Sequence, residues 1–209
     1  WFKSFGIPKN TGPKLYCISG QIKKPGVYEF PMDINLKELI YEHAGGLFEG
    51  RKLKAVIPGG ASAPMLTADE IDIPLTFDAL MKAGSMLGSA AIIVIDDSTC
   101  IVEAVWRLSK FFAHESCGQC TPCREGTNWL ETILWRLENG GGRPEDADLL
   151  LDMSDNIGGK SLCALGDAAI GLVMSSVHKF RDEFLYHVEH KSCLPGTRKY
   201  RVQELAVAH

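Results

Sequence analysis

The segment ESCGQCTPCREG (115–126) places three thiols, Cys117, Cys120 and Cys123, at intervals of three residues. Thiols this close pair poorly with one another, because a disulfide needs a narrow range of Cα and Cβ separations. They can instead converge on metal. A four-iron, four-sulfide (4Fe-4S) cubane presents three irons on one face, and ligands recurring every third residue in a tight loop reach all three, as in ferredoxin-type runs. Gly118 and Pro122 favour a non-helical loop for this purpose. The fourth iron needs a thiolate from elsewhere. Cys163, in IGGKSLCALGDAA (157–169), is the preferred donor, because Gly158 and Gly159 would let amides approach sulfide and the Ala-rich stretch starts a helix with its positive end toward the thiolate. Cys193, in the turn-like HKSCLPG (190–196), is the second candidate. Arg124 and Lys160 either offer positive charge to an anionic cluster or are solvated surface groups.

A structural zinc ion is the competing occupant, since it too takes four cysteines with two-residue gaps. Zinc modules usually draw two ligands from each of two loops, whereas three plus one is common for a cubane, so the spacing favours iron and sulfur. Of the remaining cysteines, Cys17 in a strand and Cys100 at the start of an apolar helix are expected to be small core residues. The histidines are scattered without metal spacing, and His114 reads as a helix-end residue. No nucleotide loop is recognisable. GGGRPE (140–145) has Glu145 in place of the third glycine of a dinucleotide fingerprint, and GKS (159–161) lacks the first glycine of a phosphate-binding loop, with Ser154 in its place.

The elements that must position these thiols change character along the chain. Residues 1–13 are rich in turn formers and read as a leader or linker. LYCISG (15–20) and VYEF (27–30) form a hairpin, Asn35 caps a helix over 36–44, LKAVIPGG (53–60) and AAIIVID (90–96) are further strands, and 77–82 is a short helix. That order predicts an α+β fold, a ubiquitin-like β-grasp over 14–96 with helices on one face. From about residue 97 the period is helical, with helices near 99–113, 124–139, 145–156, 164–178 and 179–190, so 97–190 is expected to be an all-α bundle and 191–209 a C-terminal tail.

The formal charge of −4 offers no basic surface to nucleic acid, and no apolar run is long enough to insert into a membrane. The start, Trp1-Phe2-Lys3-Ser4, has no initiator Met or signal-peptide core, as expected of a soluble piece of a longer protein.

SCGQCTPCREG (116–126), the distant LCALGDAA (162–169) and the β-grasp before them together resemble the NADH-binding flavoprotein subunit of respiratory NADH:quinone oxidoreductase, complex I. The resemblance covers nearly the whole chain and implies a β-grasp of the soluble-ligand-binding (SLBB) type, followed by an iron–sulfur bundle. It implies a 4Fe-4S cluster on Cys117, Cys120, Cys123 and Cys163 that receives single electrons from flavin mononucleotide (FMN). The FMN and NAD sites would lie in an N-terminal part that is missing here, so this chain alone is not expected to oxidise NADH. The implied partners are other complex I subunits, among them a neighbouring iron–sulfur subunit, in the peripheral arm on the cytoplasmic side of the membrane. Homologous flavoprotein subunits of NAD-linked hydrogenases and formate dehydrogenases share these modules and are the alternative, as is a zinc-stabilised interaction module.

Overall fold

The protein is described by a computed structural model covering residues 1–194 and 196–197. Seven strands precede the bundle: β1 (Gly6–Ile7), β2 (Asn10–Thr11), β3 (Pro13–Gly20), β4 (Gly26–Pro31), β5 (Leu53–Ile57), β6 (Leu66–Thr67) and β7 (Ala91–Asp96). β3 and β4 are the expected hairpin, with Tyr16 opposite Tyr28. β3 also pairs in parallel with β7, aligning Ile18 with Ile92, and β5 runs antiparallel to β7, giving the order β4-β3-β7-β5-β6. A parallel seam between the first long strand and the last, with antiparallel strands outside it, is the β-grasp arrangement.

Side chains alternate across the pleat, and here both faces are covered. Val56, Ile92 and Val94 pack on α1 (Leu36–Glu38), its π-helical continuation Leu39–His43 and α2 (Phe77–Lys82), through Leu36, Leu39, Ile40 and Leu80. Ala55, Ile57 and Ile95 point the other way into the core of the bundle. The expectation of helices on one face is therefore incomplete, because the strands are apolar on both sides and bury both. Cys17 departs from expectation as well: Tyr16 and Ile18 take the α1 face, which turns the Cys17 thiol outward, where it is exposed.

Local chemistry explains the element ends. Asn35 accepts a hydrogen bond from Lys37 N at 2.8 Å and starts α1, and Thr76 accepts one from Ala79 N at 3.2 Å and starts α2. The segment 1–13 is not merely a leader, since Asn10 is buried, donates to Asp78 at 2.9 Å and accepts from Phe77 N at 3.0 Å. Asp96 accepts from Ser98 N and Oγ at 3.0 and 2.7 Å, closing the turn that leads from sheet to helices.

The bundle contains α3 (Ile101–Glu115), α4 (Thr121–Glu138), α5 (Asp146–Ile157), α6 (Leu165–Lys179) and α7 (Arg181–His190). The α4 stripe Leu130, Ile133, Leu134 and Leu137 is buried at helical spacing. Asp146, fully buried, takes a two-pronged ion pair from Arg136 and so ties α5 to α4. A Cβ on Gly126 would meet Ile157 Cδ1 at 2.6 Å, so glycine there sets the close approach of the same two helices. Sheet and bundle are joined by Ser175 Oγ accepting from Met65 N (2.9 Å) and by ion pairs of Lys179 with Glu70 and Lys54 with Glu183, each at 2.5 Å. Among the described residues no helix is long and apolar enough to cross a membrane. Most of the expected tail 191–209 lies outside the described residues.

Candidate metal centre

The cysteine run occupies the junction of α3 and α4. Ser116 ends α3, Gly118 turns the chain at φ +78°, and Arg124 Nη1 donates back across the turn to Gly118 O at 3.0 Å. Helix α4 then begins at Thr121, earlier than expected, with Cys120 as its N-cap. Pro122 does not hold the run out of a helix. In a first turn its missing N–H has no bond to lose and its fixed φ suits the helix. Cys123 thus sits on that first turn, 7% exposed, while Cys120 is half-buried and Cys117 is exposed. Cys123 Sγ lies 3.3 Å from Ser116 Oγ.

Cys163 is exposed and stands two residues before α6, in the segment that crosses in front of α4. Leu162 N donates to Cys120 Sγ at 3.4 Å, so the Cys163 segment and the loop meet although 42 residues separate the bonded pair. The neighbouring glycines act differently from expectation. Gly159 N–H is held by Asp167 Oδ1 at 2.7 Å, which anchors the loop to α6, and a Cβ on Gly158 would press on Ile170 at 3.2 Å. Arg124 also pairs with Glu125 at 2.8 Å, and Lys160 donates to Asp155 O and Asn156 Oδ1 at 3.2 and 3.4 Å. Both cations brace the loops that carry the thiols.

The donor chemistry suits a thiolate-bound iron–sulfur group. Four soft sulfur donors stand near the N-terminal ends of α4 and α6, where helix dipoles favour negative charge. Ser161 Oγ, next to Leu162, is closed to solvent without a hydrogen-bond partner among the described residues, so it is a polar atom that a bound anionic group would satisfy.

A second constellation was not legible in the sequence. At the far end of the same helix pair, ligand-type atoms of Cys100, Glu138, His187 and Cys193 all lie within 4.8 Å of one another. Cys100 Sγ is 3.2 Å from His187 Nε2 and 3.7 Å from Glu138 Oε2, and Cys193 Sγ is 3.3 Å from Glu138 Oε1. Cys193 therefore belongs to this group and not beside the loop, and Cys100 is buried, as expected, but among polar partners. The hydrogen bond between the two thiols, reinforced by burial, pushes the Cys100 thiol up. The same bond, helped by His187, pulls Cys193 down to about 4. Burial pushes His187 down, but its contacts with Cys193 and Glu138 more than offset this and raise it. The helical period gave no sign of the group, because its members come from four places in the chain.

Residues 103–187 match the NADH-ubiquinone oxidoreductase-F iron-sulfur binding region, and residues 14–94 match the SLBB domain. The second F-type subunit of NADH-quinone oxidoreductase from Rhizobium meliloti (strain 1021) is 51% identical over 193 residues, 92% of this chain and 46% of the relative. The F-type subunit of Mycobacterium tuberculosis (strain ATCC 25618 / H37Rv) is 53% identical over 193 residues, 92% of this chain and 43% of the relative. The chain thus spans less than half the length of these curated relatives. Among solved structures, an NAD+-reducing [NiFe]-hydrogenase in the air-oxidized state superposes with a TM-score of 0.81 at 29% identity, over 90% of this chain and 32% of that one. Two matched regions in the same order, a three-cysteine junction that the Cys163 segment meets, and relatives about half identical across nearly the whole chain make it a member of the family of NADH-quinone oxidoreductase F-type subunits, corresponding to a part of those proteins.

Proposed function

We propose that the chain is the electron-transfer part of an NADH-oxidising assembly and holds one 4Fe-4S cluster through Cys117, Cys120, Cys123 and Cys163. The observation that supports this reading is the hydrogen bond from Leu162 N to Cys120 Sγ, which holds the segment carrying Cys163 against the three-cysteine junction. When bound, such a cluster accepts and releases one electron at a time. The chain's own groups do the rest. The N-termini of α4 and α6 offset the negative charge of the thiolates, the amide of Leu162 donates to Cys120 Sγ, the unpartnered hydroxyl of Ser161 is available beside it, and buried Cys123 fixes one thiol from within the helix.

The division near residue 97 separates an SLBB-type β-grasp from the iron–sulfur bundle. FMN and NAD are bound by the part of the flavoprotein that this chain does not match. Electrons leave toward another subunit, an adjacent iron–sulfur protein, in the peripheral arm on the cytoplasmic side. Two exposed apolar features near the cysteines suit such a partner: Leu162, 89% exposed, and a cavity of about 330 Å³ between α4 and α5 lined by Pro122, Trp129, Met153 and Ile157. Identity of about half to the quinone-oxidoreductase relatives, against 29% to the hydrogenase chain, favours a quinone-linked assembly over a hydrogenase.

Paramagnetic resonance on anaerobically purified protein tests the ligand set. Cys163→Ser is expected to abolish the four-iron signal or leave a three-iron species, and Cys193→Ser to leave it intact. A normal four-iron spectrum in the Cys163→Ser protein would show that another residue completes the cluster.

A further inference from the structure

The group formed by Cys100, Glu138, His187 and Cys193 lies apart from the proposed cluster ligands. It is separated from them by the length of α4, whose 18 residues span about 27 Å at roughly 1.5 Å per residue. Cys100, Glu138 and His187 are each 5% exposed or less, and Cys193 is half-buried. Two thiols, an imidazole and a carboxylate form a donor set of the kind that zinc takes in closed, four-coordinate sites. Distances agree with that use. Zinc bonds of about 2.0–2.3 Å put neighbouring corners of a tetrahedron roughly 3.3–3.8 Å apart. The contacts here are 3.2 Å (Cys100 Sγ to His187 Nε2), 3.7 Å (Cys100 Sγ to Glu138 Oε2) and 3.3 Å (Cys193 Sγ to Glu138 Oε1).

The surroundings orient the donors. His187 Nδ1–H donates to Leu137 O at 3.2 Å, which leaves Nε2 with its lone pair toward the group, as a metal-bound histidine needs. Cys100 is the N-cap of α3 and accepts from Glu103 N at 3.5 Å, which fixes the position of its sulfur at the start of the helix. We propose that Cys100 Sγ, Cys193 Sγ, His187 Nε2 and the Glu138 carboxylate bind one zinc ion, a structural site that fastens the start of α3, the end of α4, α7 and the segment after it. Binding Zn²⁺ displaces the two thiol protons to solvent, and four protein donors leave no position open for catalysis.

The 209-residue chain expressed with zinc in the medium is the material for the test, with zinc per chain measured by mass spectrometry and the ion's environment by X-ray absorption. The site predicts about one zinc per chain in a shell of two sulfurs and two nitrogen or oxygen atoms. Cys117→Ser is expected to keep that zinc, while Cys193→Ser and His187→Gln each lower it to less than roughly a tenth. Absence of zinc, a four-sulfur shell that places the ion among the junction thiols, a Cys100–Cys193 disulfide in the purified protein, or undiminished zinc in Cys193→Ser would each overturn the assignment. If either variant fails to fold, the wild-type absorption spectrum decides alone, because only the two-sulfur shell is compatible with these four residues.

Discussion

The two ends of the α3–α4 hairpin use the same kind of residue in opposite ways. At the junction, Cys117, Cys120 and Cys123 recur every third residue and are graded from exposed to buried. At the open end, Cys100 is fully buried, and it meets His187 across 87 residues of sequence, while Cys193 meets Glu138 across 55. An electron carrier needs an approachable edge, whereas an ion that only fastens helices works best sealed from water. Exposure, more than cysteine content, separates the two proposed roles.

The largest expected effect breaks the comparison directly. His187→Ala removes a fully buried partner of two thiols and a carboxylate, and is expected to lower the unfolding free energy by at least about 3 kcal/mol. Cys117→Ala, at the exposed end, is expected to change the stability of the iron-free chain by less than about 0.5 kcal/mol. Urea unfolding of both iron-free variants checks this, and equal losses would mean that the two ends do not differ in structural role. Arg136→Leu is next. It strands the buried Asp146 carboxylate near the open end, and a loss of about 3 kcal/mol with unchanged iron content is expected. Gly126→Ala sharpens the other side, because the added methyl must push Ile157 aside next to the junction. We expect about 1–2 kcal/mol of destabilisation and an altered cluster line shape, with zinc content unchanged.

The smallest effect lies at neither end and serves as a control. Burial pushes the Glu70 carboxyl up, but hydrogen bonds from Lys179 and Thr67 outweigh it and hold the group below the usual glutamate range. A carboxyl depressed on folding stabilises the protein above its unfolded value of about 4.3, and that contribution disappears as pH falls through the lower folded value. Glu70 is partly exposed, so screening limits the contribution to less than about 1 kcal/mol. Glu70→Gln should therefore differ slightly from wild type at pH 7 and not at all in strong acid. A difference that grows on acidification would contradict the assignment.

Sequence reading succeeded where the signal is local. Asn35 marks a helix start with its own side chain, and the cysteine run stands out by its spacing. It was less complete where context decides. Pro122 reads equally as a loop former or as a first-turn residue, and only the packing of α4 selects the second. Cys17 was expected inside because its strand is apolar, yet alternation gave the covered face to Tyr16 and Ile18. The group around His187 carried no periodic mark, since the fold alone brings its members together.

The parallel seam between β3 and β7 has a consequence for the order in which the chain folds. Ser19 Oγ donates to Ile92 O across 73 residues, so the centre of the sheet closes the longest loop within the β-grasp, and loop closure carries an entropic cost that grows with length. The α3–α4 hairpin closes over a handful of residues. Contacts of short range form fastest. In pulse-labelled hydrogen exchange on the refolding chain, amides of α3 and α4 are therefore expected to gain protection before those of β3, and the cysteine junction takes shape before the sheet beside the bundle is complete.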